Sequence, residues 1–388
     1  MTETIVSKPT NSSMTWERTR SLFPVTREIV YFNNAGVGPI SSRVDEAIRR
    51  YAGEATRLGA FNYPRFFNDE IERVRARAAL LLNASADEVA FIKNTTEGLG
   101  IVASGLDWQR GDEILTCNLE YPSNVYPWWS LRERGVETQM LRGREGRLPL
   151  AAFEEALQSP RVRLLALSSV EYGSGARNDL EALGGLCREH GVLFCVDAIQ
   201  SVGCFPIDVE KCGIDFLAAD GHKWMLSVEG CGIFFCSKRV LDLVTPRIIG
   251  WRSVQNNRDF DTYHMDLQPS AGRFEEGTTN TPGIFALGAA IDLLLELDVS
   301  AVGERVLALT DRLVDGLRAR GAEIRSPREP GEASGIVSFA IPGQSPADTV
   351  RRLHAERIFV VDRRGGVRAS PHFYNSEDEI DRLLAALG

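Results

Sequence analysis

The chain has 388 residues, of which 44% are hydrophobic and 25% are charged. This composition indicates a soluble globular protein, and the length predicts two lobes rather than one. The formal net charge is −9, and acidic and basic residues are interspersed, which argues against a nucleic-acid partner because such proteins carry a basic surface. The five histidines and seven cysteines show no HxxxH or CxxC spacing, so we predict neither a metal site nor a disulfide framework.

The N-terminal stretch MTETIVSKPTNSSMTWERTR contains no apolar run that could serve as a signal peptide. No later run reaches the length of a membrane span. The cysteines lie mostly inside apolar runs, which is typical of core residues in a reducing compartment. We therefore expect a cytoplasmic protein without a membrane contact. Residues 1–20 are predicted to be a flexible tail, and residues 21–60 are predicted to contribute to a small domain.

Short apolar runs alternate with amphipathic stretches from about Glu88 to Cys236. This alternation predicts a doubly wound α/β sheet in a large domain, residues 61–282. The predicted strands are Val89–Lys93, Glu113–Cys117, Arg163–Ser168, Leu193–Asp197, Phe216–Ala219 and Gly232–Cys236. The predicted helices are Thr95–Gly105, Ser123–Arg134, Leu150–Leu157 and Asp179–His190. The polar segment from Asn256 to Phe274 is predicted to be a long loop.

The pattern changes after about Thr281. Two helical patterns, Ile284–Leu297 and Val302–Ala319, precede a short strand and an α/β tail. The predicted strand is Gly335–Ile341, and the last predicted helix is Glu377–Leu387. Residues 283–388 are therefore predicted to form the small C-terminal α/β domain.

A possible phosphate-binding site lies at Asn94-Thr95-Thr96-Glu97-Gly98, between a predicted strand and a predicted helix. Free backbone N–H groups at a helix start, together with two hydroxyl groups, can bind a phosphate. Asn94 and Glu97 could equally form an ordinary helix cap.

An acid and a lysine follow two successive strands. Asp197 ends a strongly apolar strand, where ligands of such sheets bind, although a turn or cap residue would fit as well. Lys223 lies in Asp220-Gly221-His222-Lys223-Trp224, where partial desolvation would lower its pKa and free its amine for attack on an aldehyde. A solvated surface lysine is the alternative interpretation.

The segment VDAIQSVGCFPIDVEKCGIDFLAADGHKW resembles the cofactor region of the class V aminotransferases, which are fold-type I pyridoxal-phosphate enzymes and include cysteine desulfurases and isopenicillin N epimerase-like proteins. The resemblance extends to YFNNAGVGPIS, NTTEG, EYPSNVYPW, RFEEGTTNTPGIFALGAA and VRASPHFYNSEDEIDRL. It implies a fold-type I α/β enzyme with pyridoxal 5'-phosphate as cofactor.

The resemblance also implies the roles of individual residues around the cofactor. Lys223 would form the Schiff base, Asp197 would pair with the pyridine nitrogen, Gln200 would bind the phenolic oxygen, and Thr95, Thr96 and His222 would hold the phosphate. Thr278 would reach the phosphate of a neighbouring subunit, which implies a homodimer. Arg368 would bind the substrate α-carboxylate, since a guanidinium can bind it in a bidentate manner. We add Asn34 as a substrate-binding candidate.

The chain departs from the desulfurase pattern at three places. No cysteine follows Cys236, so the nucleophilic thiol that desulfurases carry before the carboxylate arginine is missing. Pro122 stands where desulfurases have a histidine over the cofactor, and Tyr121 or Trp128 could supply an aromatic contact instead. Asp220 replaces a hydroxyl residue that some relatives use on the phosphate, so it must point away or have a cation between the two anions.

The sequence predicts the cofactor more firmly than the reaction. Transamination of an α-amino acid is our first expectation, because Lys223 alone could move the required proton. A C–S β-lyase is the second, and an epimerase would need another base, for which only Tyr121 or His372 is available. A non-catalytic cofactor-binding sensor is the alternative of another class. Arg252, Arg363 and Arg364 could bind a second acidic group of a substrate.

Overall fold

The computed structural model describes residues 15–387. Residues 1–14 of the predicted tail lie outside this range. Within the rest of that tail, Trp16–Arg20 forms a helix, and Arg20 donates hydrogen bonds of 2.8 and 2.9 Å to the two carboxylate oxygens of Glu379. This part of the predicted tail is therefore folded onto the C-terminal region.

The described chain contains eleven α-helices and thirteen strands, with several short 3-10 helices and one π-helix between them. The helices are α1 Trp16–Arg20, α2 Ser42–Leu58, α3 Asp69–Leu82, α4 Thr95–Gly105, α5 Tyr126–Trp129, α6 Leu150–Ala156, α7 Leu180–His190, α8 Thr281–Leu297, α9 Val299–Ala319, α10 Pro346–Ala355 and α11 Glu377–Leu387. The strands are β1 Val30–Tyr31, β2 Val89–Ile92, β3 Glu113–Cys117, β4 Glu137–Leu141, β5 Val162–Ser168, β6 Leu193–Asp197, β7 Phe216–Asp220, β8 Gly232–Cys236, β9 Glu323–Ile324, β10 Val337–Ala340, β11 Ile358–Phe359, β12 Val361–Arg363 and β13 Gly366–Ala369.

The largest sheet has seven strands in the order β2-β8-β7-β6-β5-β3-β4. Strand β8 is antiparallel to both of its neighbours, and the other pairs are parallel. Strands β3, β7 and β8 are buried along their whole length because helices cover both faces of such a sheet. The predicted α/β class with a mostly parallel sheet is confirmed.

Two predictions for the large sheet need correction. Strand β4 was not predicted: it is an edge strand with partly exposed, mixed residues, and it lacks the apolar run of an inner strand. The helix predicted over Ser123–Arg134 is divided into the 3-10 helix Pro122–Asn124, α5, and the 3-10 helix Ser130–Arg134. Pro127, inside this range, lacks a backbone donor, which prevents one continuous helix.

The C-terminal region contains a four-stranded antiparallel sheet, in the order β12-β13-β10-β9, with its own apolar core between the sheet and helices α9 and α11. Strand β1 pairs in parallel with β11 and so joins the N-terminal segment to this region. Helix α8 packs instead on α2 and α3 and shares the core of the large sheet. The division into two domains stays a proposal, and the packing of α8 favours a boundary after this helix.

The segment between β8 and α8 has little regular structure. A short 3-10 helix, Ala271–Phe274, ends the predicted loop. Among the helices of residues 15–387, none combines the length and the apolar run needed to cross a bilayer.

Candidate active site

One pocket of about 350 Å³ lies at the carboxyl ends of the central strands, against the start of α4. Ligands of doubly wound sheets bind at this edge because the loops that follow parallel strands meet there. Its lining residues are Asn33, Ala35, Gly36, Val37, Asn94, Thr95, Thr96, Tyr121, Ser123, Tyr172, Asp197, Ile199, Gln200, Asp220, His222, Lys223, Arg363 and Arg368. Eight of the predicted site residues are therefore in one pocket.

Lys223 follows β7 and reaches into the pocket. Burial lowers the pKa of its amine to about 8, although the charge of Asp197 opposes this shift. The Nζ atom lies 5.6 Å from the centroid of the Tyr121 ring. A lysine with this pKa has a substantial neutral fraction near neutral pH, and only the neutral amine can attack a carbonyl or accept a proton.

Asp197 is the last residue of β6 and is 3% exposed. Its Oδ1 atom accepts a hydrogen bond of 3.0 Å from the backbone N–H of Ile199. Burial raises the pKa of this carboxyl to about 6, and the backbone hydrogen bond and the charge of Lys223 oppose the shift. Asp197 therefore remains mostly ionised at neutral pH and presents a negative charge to the pocket.

The start of α4 supplies hydroxyl groups on the other side of the pocket. Thr95 Oγ1 accepts a hydrogen bond of 3.1 Å from the backbone N–H of Asp220, and Thr96 Oγ1 donates one of 2.9 Å to Ser123 Oγ. A Cβ on Gly98 would lie 2.6 Å from the Cβ of Ala218. Only glycine therefore lets α4 approach β7 this closely, and the approach brings the helix N-terminus to the pocket.

Gln200 and its neighbours form the rear wall of the pocket. The Gln200 Nε2 atom donates to the Ala35 carbonyl at 3.1 Å, and its Oε1 atom accepts from Trp224 Nε1 at 2.8 Å. These two bonds fix the amide orientation. One N–H of the side chain is left for a group in the pocket.

Arg368 forms the opposite end of the pocket and is 2% exposed. It donates to the Tyr172 carbonyl at 2.9 Å and to Asn33 Oδ1 at 3.3 Å. Its buried Nε atom has no partner among the described residues. Burial, together with the nearby charge of Arg363, lowers the pKa of this guanidinium to about 10, so it stays charged at neutral pH. A buried cation with a free donor suits a carboxylate ligand.

Asn34, which we predicted to bind substrate, does not line the pocket. Its Nδ2 atom donates to the Ser370 carbonyl and its Oδ1 atom accepts from the Tyr374 hydroxyl, both at 2.9 Å. The preceding residue, Asn33, faces the pocket instead. The sequence has two adjacent asparagines here, but it does not show which of the two side chains points into the pocket.

Of the aromatic and histidine candidates, Tyr121 lies in the pocket, and Trp128 and His372 do not. Tyr121 lines the pocket, and its ring packs edge-on against Tyr172 with centroids 5.1 Å apart. Trp128 is fully buried and donates to Asn124, so it is not the aromatic contact. His372 is fully buried between the Trp224 carbonyl and the backbone N–H of Phe373, which excludes it as a second base in the pocket.

Two further candidates lie outside the pocket of this chain. Thr278 is exposed in the segment before α8. Its predicted contact with a neighbouring subunit stays a prediction. Arg252 forms an ion pair of 3.1 Å with Glu275 and so is not the anion-binding residue that we considered.

A buried acidic cluster beneath the pocket was not predicted. Glu120 accepts hydrogen bonds from Ser168 and Asn124, and the Cys117 sulfur lies 3.9 Å from Glu120 and 3.7 Å from Glu171. Burial raises the pKa of both carboxyls, to about 7 for Glu171, and the repulsion between them adds to the shift of Glu120. The pair therefore retains a proton near neutral pH. We assign no metal to the cluster, and the expected absence of a metal stays a prediction.

Replacing Glu171 with glutamine should stabilise the protein at pH 8. The carboxyl pKa rises from 4.5 unfolded to about 7 folded, so the folded state binds more protons between these values and loses stability as the pH rises through them. We expect a gain of about 1 to 3 kcal/mol at pH 8 and a flatter profile between pH 5 and 7. Urea unfolding of the holoenzyme at several pH values measures both. The exposed Glu154→Gln variant is the control and should have the same free energy of unfolding as the wild type at every pH. If the free energy of unfolding of Glu171→Gln changes with pH in the same way as that of the wild type, this interpretation is contradicted.

The comparison with known families agrees with this geometry. The sequence model of the family described as "Aminotransferase class-V" matches residues 30–383. The chain belongs to the class-V aminotransferase family. A probable cysteine desulfurase of Pyrococcus abyssi is 32% identical over 392 residues, which cover 96% of each chain.

Two solved structures extend the comparison. The apo cysteine desulfurase of Thermococcus onnurineus NA1 has a TM-score of 0.88 and 29% identity, and the match covers 95% of this chain and 96% of that one. A cystine C–S lyase, solved with its reaction product cysteine persulfide, has a TM-score of 0.87 and 27% identity over 94% of this chain and 98% of that one. The predicted fold-type I architecture is confirmed.

Pyridoxal phosphate is the cofactor of this family, which confirms the prediction at family level. The residues present fit this group. A lysine of lowered pKa, an ionised aspartate, and a helix start with two hydroxyl groups line one pocket. They suit, in that order, an aldehyde, a protonated ring nitrogen and a phosphate.

Proposed function

We propose that this protein is a pyridoxal-phosphate-dependent lyase that cleaves the Cβ–S bond of cystine or of another S-substituted cysteine. This reaction was our second expectation from the sequence. The relatives named above are desulfurases and a C–S lyase, which supports sulfur chemistry. None of their names supports transamination, our first expectation, although a protein of Bacillus subtilis named as an uncharacterized aminotransferase is 26% identical over 95% of this chain.

The single observation that carries the proposal is the position of the cysteines. All seven lie within the described residues, where six are buried and Cys212 is partly exposed, and none lines the pocket. The turn between β12 and β13, shortly before Arg368, carries Arg364 and Gly365 and no cysteine. The resemblance to the desulfurases implies a thiol in this stretch. With no thiol to accept sulfur from the substrate, the sulfur must leave with the product.

The pocket residues can perform this elimination in a defined order. Arg368 binds the α-carboxylate and so orients the Cα–H bond, and Lys223 then accepts the Cα proton. The bound cofactor supplies the electron sink for the charge at Cα, and Asp197 stabilises positive charge at the ring nitrogen. The Cβ–S electron pair leaves with sulfur, as a persulfide from cystine, and hydrolysis of the remaining fragment gives pyruvate and ammonia.

Transamination is the second candidate, because the same lysine could return the proton to the cofactor instead of allowing sulfur to leave. The epimerase alternative is weaker, since the burial of His372 leaves Tyr121 as its only proposed second acid. A sensor without catalysis would not need the lowered pKa of Lys223.

Product analysis tests the proposal. The holoenzyme is incubated with cystine and with S-substituted cysteines, and pyruvate, ammonia and persulfide sulfur are measured. We expect all three from cystine, in equal amounts and over many turnovers. A keto acid that forms only once per active site, with conversion of the cofactor to its amine, would overturn the proposal in favour of transamination.

Replacing Arg368 with lysine should raise KM and change kcat less. A lysine ammonium cannot bind a carboxylate in a bidentate manner, and a charged hydrogen bond contributes about 1.5 to 3 kcal/mol. We therefore expect a rise in KM of about 10- to 100-fold. The exposed Arg351→Lys variant is the control, and steady-state kinetics measure both. A variant with unchanged KM would remove Arg368 from the substrate site.

A homodimer completes the proposal. Thr278 is exposed outside its own pocket, and large apolar side chains are exposed in the segment before it. These side chains are Ile248, Trp251, Phe260, Tyr263 and Met265, which are 67, 46, 68, 96 and 69% exposed. Light scattering of the holoenzyme should give twice the mass of the chain. A fully active monomer would contradict this part of the proposal.

The free cysteines support a reducing, cytoplasmic location.

A further inference from the structure

A second cavity, of about 660 Å³, is lined by residues of α6 and α7 and by residues 330–332, which lie between β9 and β10. It shares no lining residue with the active-site pocket. Small organic ligands usually bind in cavities that combine an apolar wall with a few fixed polar groups. The apolar wall of this cavity includes Leu150, Phe153, Leu180, Leu183, Phe205 and Ile207.

One guanidinium group is fixed at the wall of this cavity. The Arg177 Nε atom donates to the Gly331 carbonyl at 2.9 Å, and its Cζ atom lies 4.9 Å from the centroid of the Phe205 ring. The backbone N–H of Arg177 donates to the Glu332 carbonyl at 2.9 Å. All four residues line the cavity, so these contacts hold the guanidinium at its surface.

The two terminal nitrogens of Arg177 have no hydrogen-bond partner among residues 15–387, and the guanidinium forms no ion pair there. Burial lowers the pKa of this group, although Cys204 and Asp179 oppose the shift. Arginine nevertheless stays charged at neutral pH. The cavity therefore contains a partly desolvated positive charge with unused N–H donors.

The other charged side chains that line the cavity have partners of their own. Arg147 forms an ion pair of 2.7 Å with Glu332, and Glu181 forms one of 2.8 Å with Lys211. The Asp179 carboxylate accepts a backbone hydrogen bond as the N-cap of α7. Three carboxylates on the same wall disfavour a ligand with two negative charges, such as a phosphate, because they would repel it.

A short chain segment separates this cavity from the active-site pocket. Ser169 and Ser201 line the cavity, and their Oγ atoms lie 2.5 Å apart. The backbone N–H of Ser169 donates to the Asp197 carbonyl at 2.9 Å, and its Oγ atom donates to the same carbonyl at 3.2 Å. Asp197 and Gln200 line the active-site pocket instead. A ligand can therefore occupy this cavity while the active site is filled.

We propose that this cavity is a second ligand site, which binds a small monocarboxylate with an apolar or aromatic body. The carboxylate accepts hydrogen bonds from the terminal nitrogens of Arg177, whose planar geometry suits bidentate binding. The body of the ligand packs against the apolar side chains of α6 and α7 and removes them from water. A neutral ligand would leave the guanidinium unpaired, and an inorganic anion would leave the apolar wall exposed.

Calorimetric titration of the wild-type holoenzyme tests the class of ligand. The probes are naphthalene-2-carboxylate and the neutral naphthalene-2-carboxamide, which has the same shape. We expect the carboxylate to bind at least about tenfold more tightly, as one charged hydrogen bond predicts. Equal affinities, or no binding of the carboxylate, would overturn the proposal, and this result needs no variant that has to fold.

Three variants then locate the bound carboxylate. Arg177→Gln should weaken its binding about tenfold or more and leave the affinity for the carboxamide unchanged. Arg368→Lys alters the guanidinium of the active site and should bind the carboxylate as tightly as the wild type. Arg351→Gln, in α10 and outside both cavities, is the control.

The reverse pattern, with affinity lost in Arg368→Lys and kept in Arg177→Gln, would place the probe in the active-site pocket and overturn the proposal. Equal losses in Arg177→Gln and Arg351→Gln would overturn it as well, since a general loss of positive charge would then explain the result. The titration does not involve turnover, so the lyase proposal can fail while this one stands.

Discussion

Lys223→Ala should lower kcat by about a thousandfold or more while the fold is kept. In the proposed mechanism the lysine is both the nucleophile that carries the cofactor and the base that accepts the Cα proton, and a positioned base alone contributes about 10²- to 10⁴-fold. Its amine lies among Asp197, Tyr121 and Arg368, and no second lysine lines the pocket. Turnover of cystine under single-turnover and steady-state conditions measures the loss.

The exposed Lys238→Ala variant is the control for this change. Lys238 pairs with Asp87 at the surface and does not line the pocket, so its removal should leave kcat within about twofold of the wild type, as expected for a surface ion pair. A Lys223→Ala protein that retains a tenth of the wild-type rate would remove Lys223 from the chemistry.

Asp197→Asn should have the second-largest effect, a fall in kcat of about 10²- to 10³-fold, with a smaller change in KM. Loss of the negative charge leaves the ring nitrogen unprotonated, which weakens the electron sink on which proton removal depends. The side chains are nearly isosteric, and Oδ1 can still accept from Ile199, so the fold should be kept.

Kinetics and the visible absorption spectrum of the bound cofactor measure this change. Asp215→Asn is the matched control, since Asp215 is a buried carboxylate, 2% exposed, that directly precedes β7 and does not line the pocket. An Asp197→Asn enzyme with an unchanged spectrum and rate would show that this carboxylate does not face the ring.

The central sheet was predictable because its inner strands carry an unmistakable signal. Strands such as β6 and β8 are short apolar runs between turn residues, and helices such as α4 begin at a capping asparagine. Strand β4 lacked this signal because only one neighbour pairs with it and its residues are partly exposed. The division of the predicted helix around α5 was missed because apolar periodicity alone does not reveal the effect of an internal proline, Pro127.

The pocket residues that lie at or just after the end of a central strand, such as Asp197 and Lys223, were predictable from the sequence. Residues whose inward orientation depends on packing between distant segments were not predictable. Asn33 lines the pocket and forms a parallel bridge with Ser370 of the C-terminal region, and Tyr172 contributes its backbone carbonyl to Arg368. The pairing of Glu120 with Glu171 depends on the adjacent ends of β3 and β5, which no single segment encodes.

The most direct test of the account follows the sulfur atom. The holoenzyme is allowed to turn over cystine, and the intact protein is then analysed by mass spectrometry without reductant, with persulfide measured in the solution. We predict that the sulfur is released as a small-molecule persulfide and that none of the seven cysteines carries an added sulfur atom. A protein persulfide that forms and decays at the rate of turnover would contradict the account and would show that a cysteine outside the pocket acts as the acceptor.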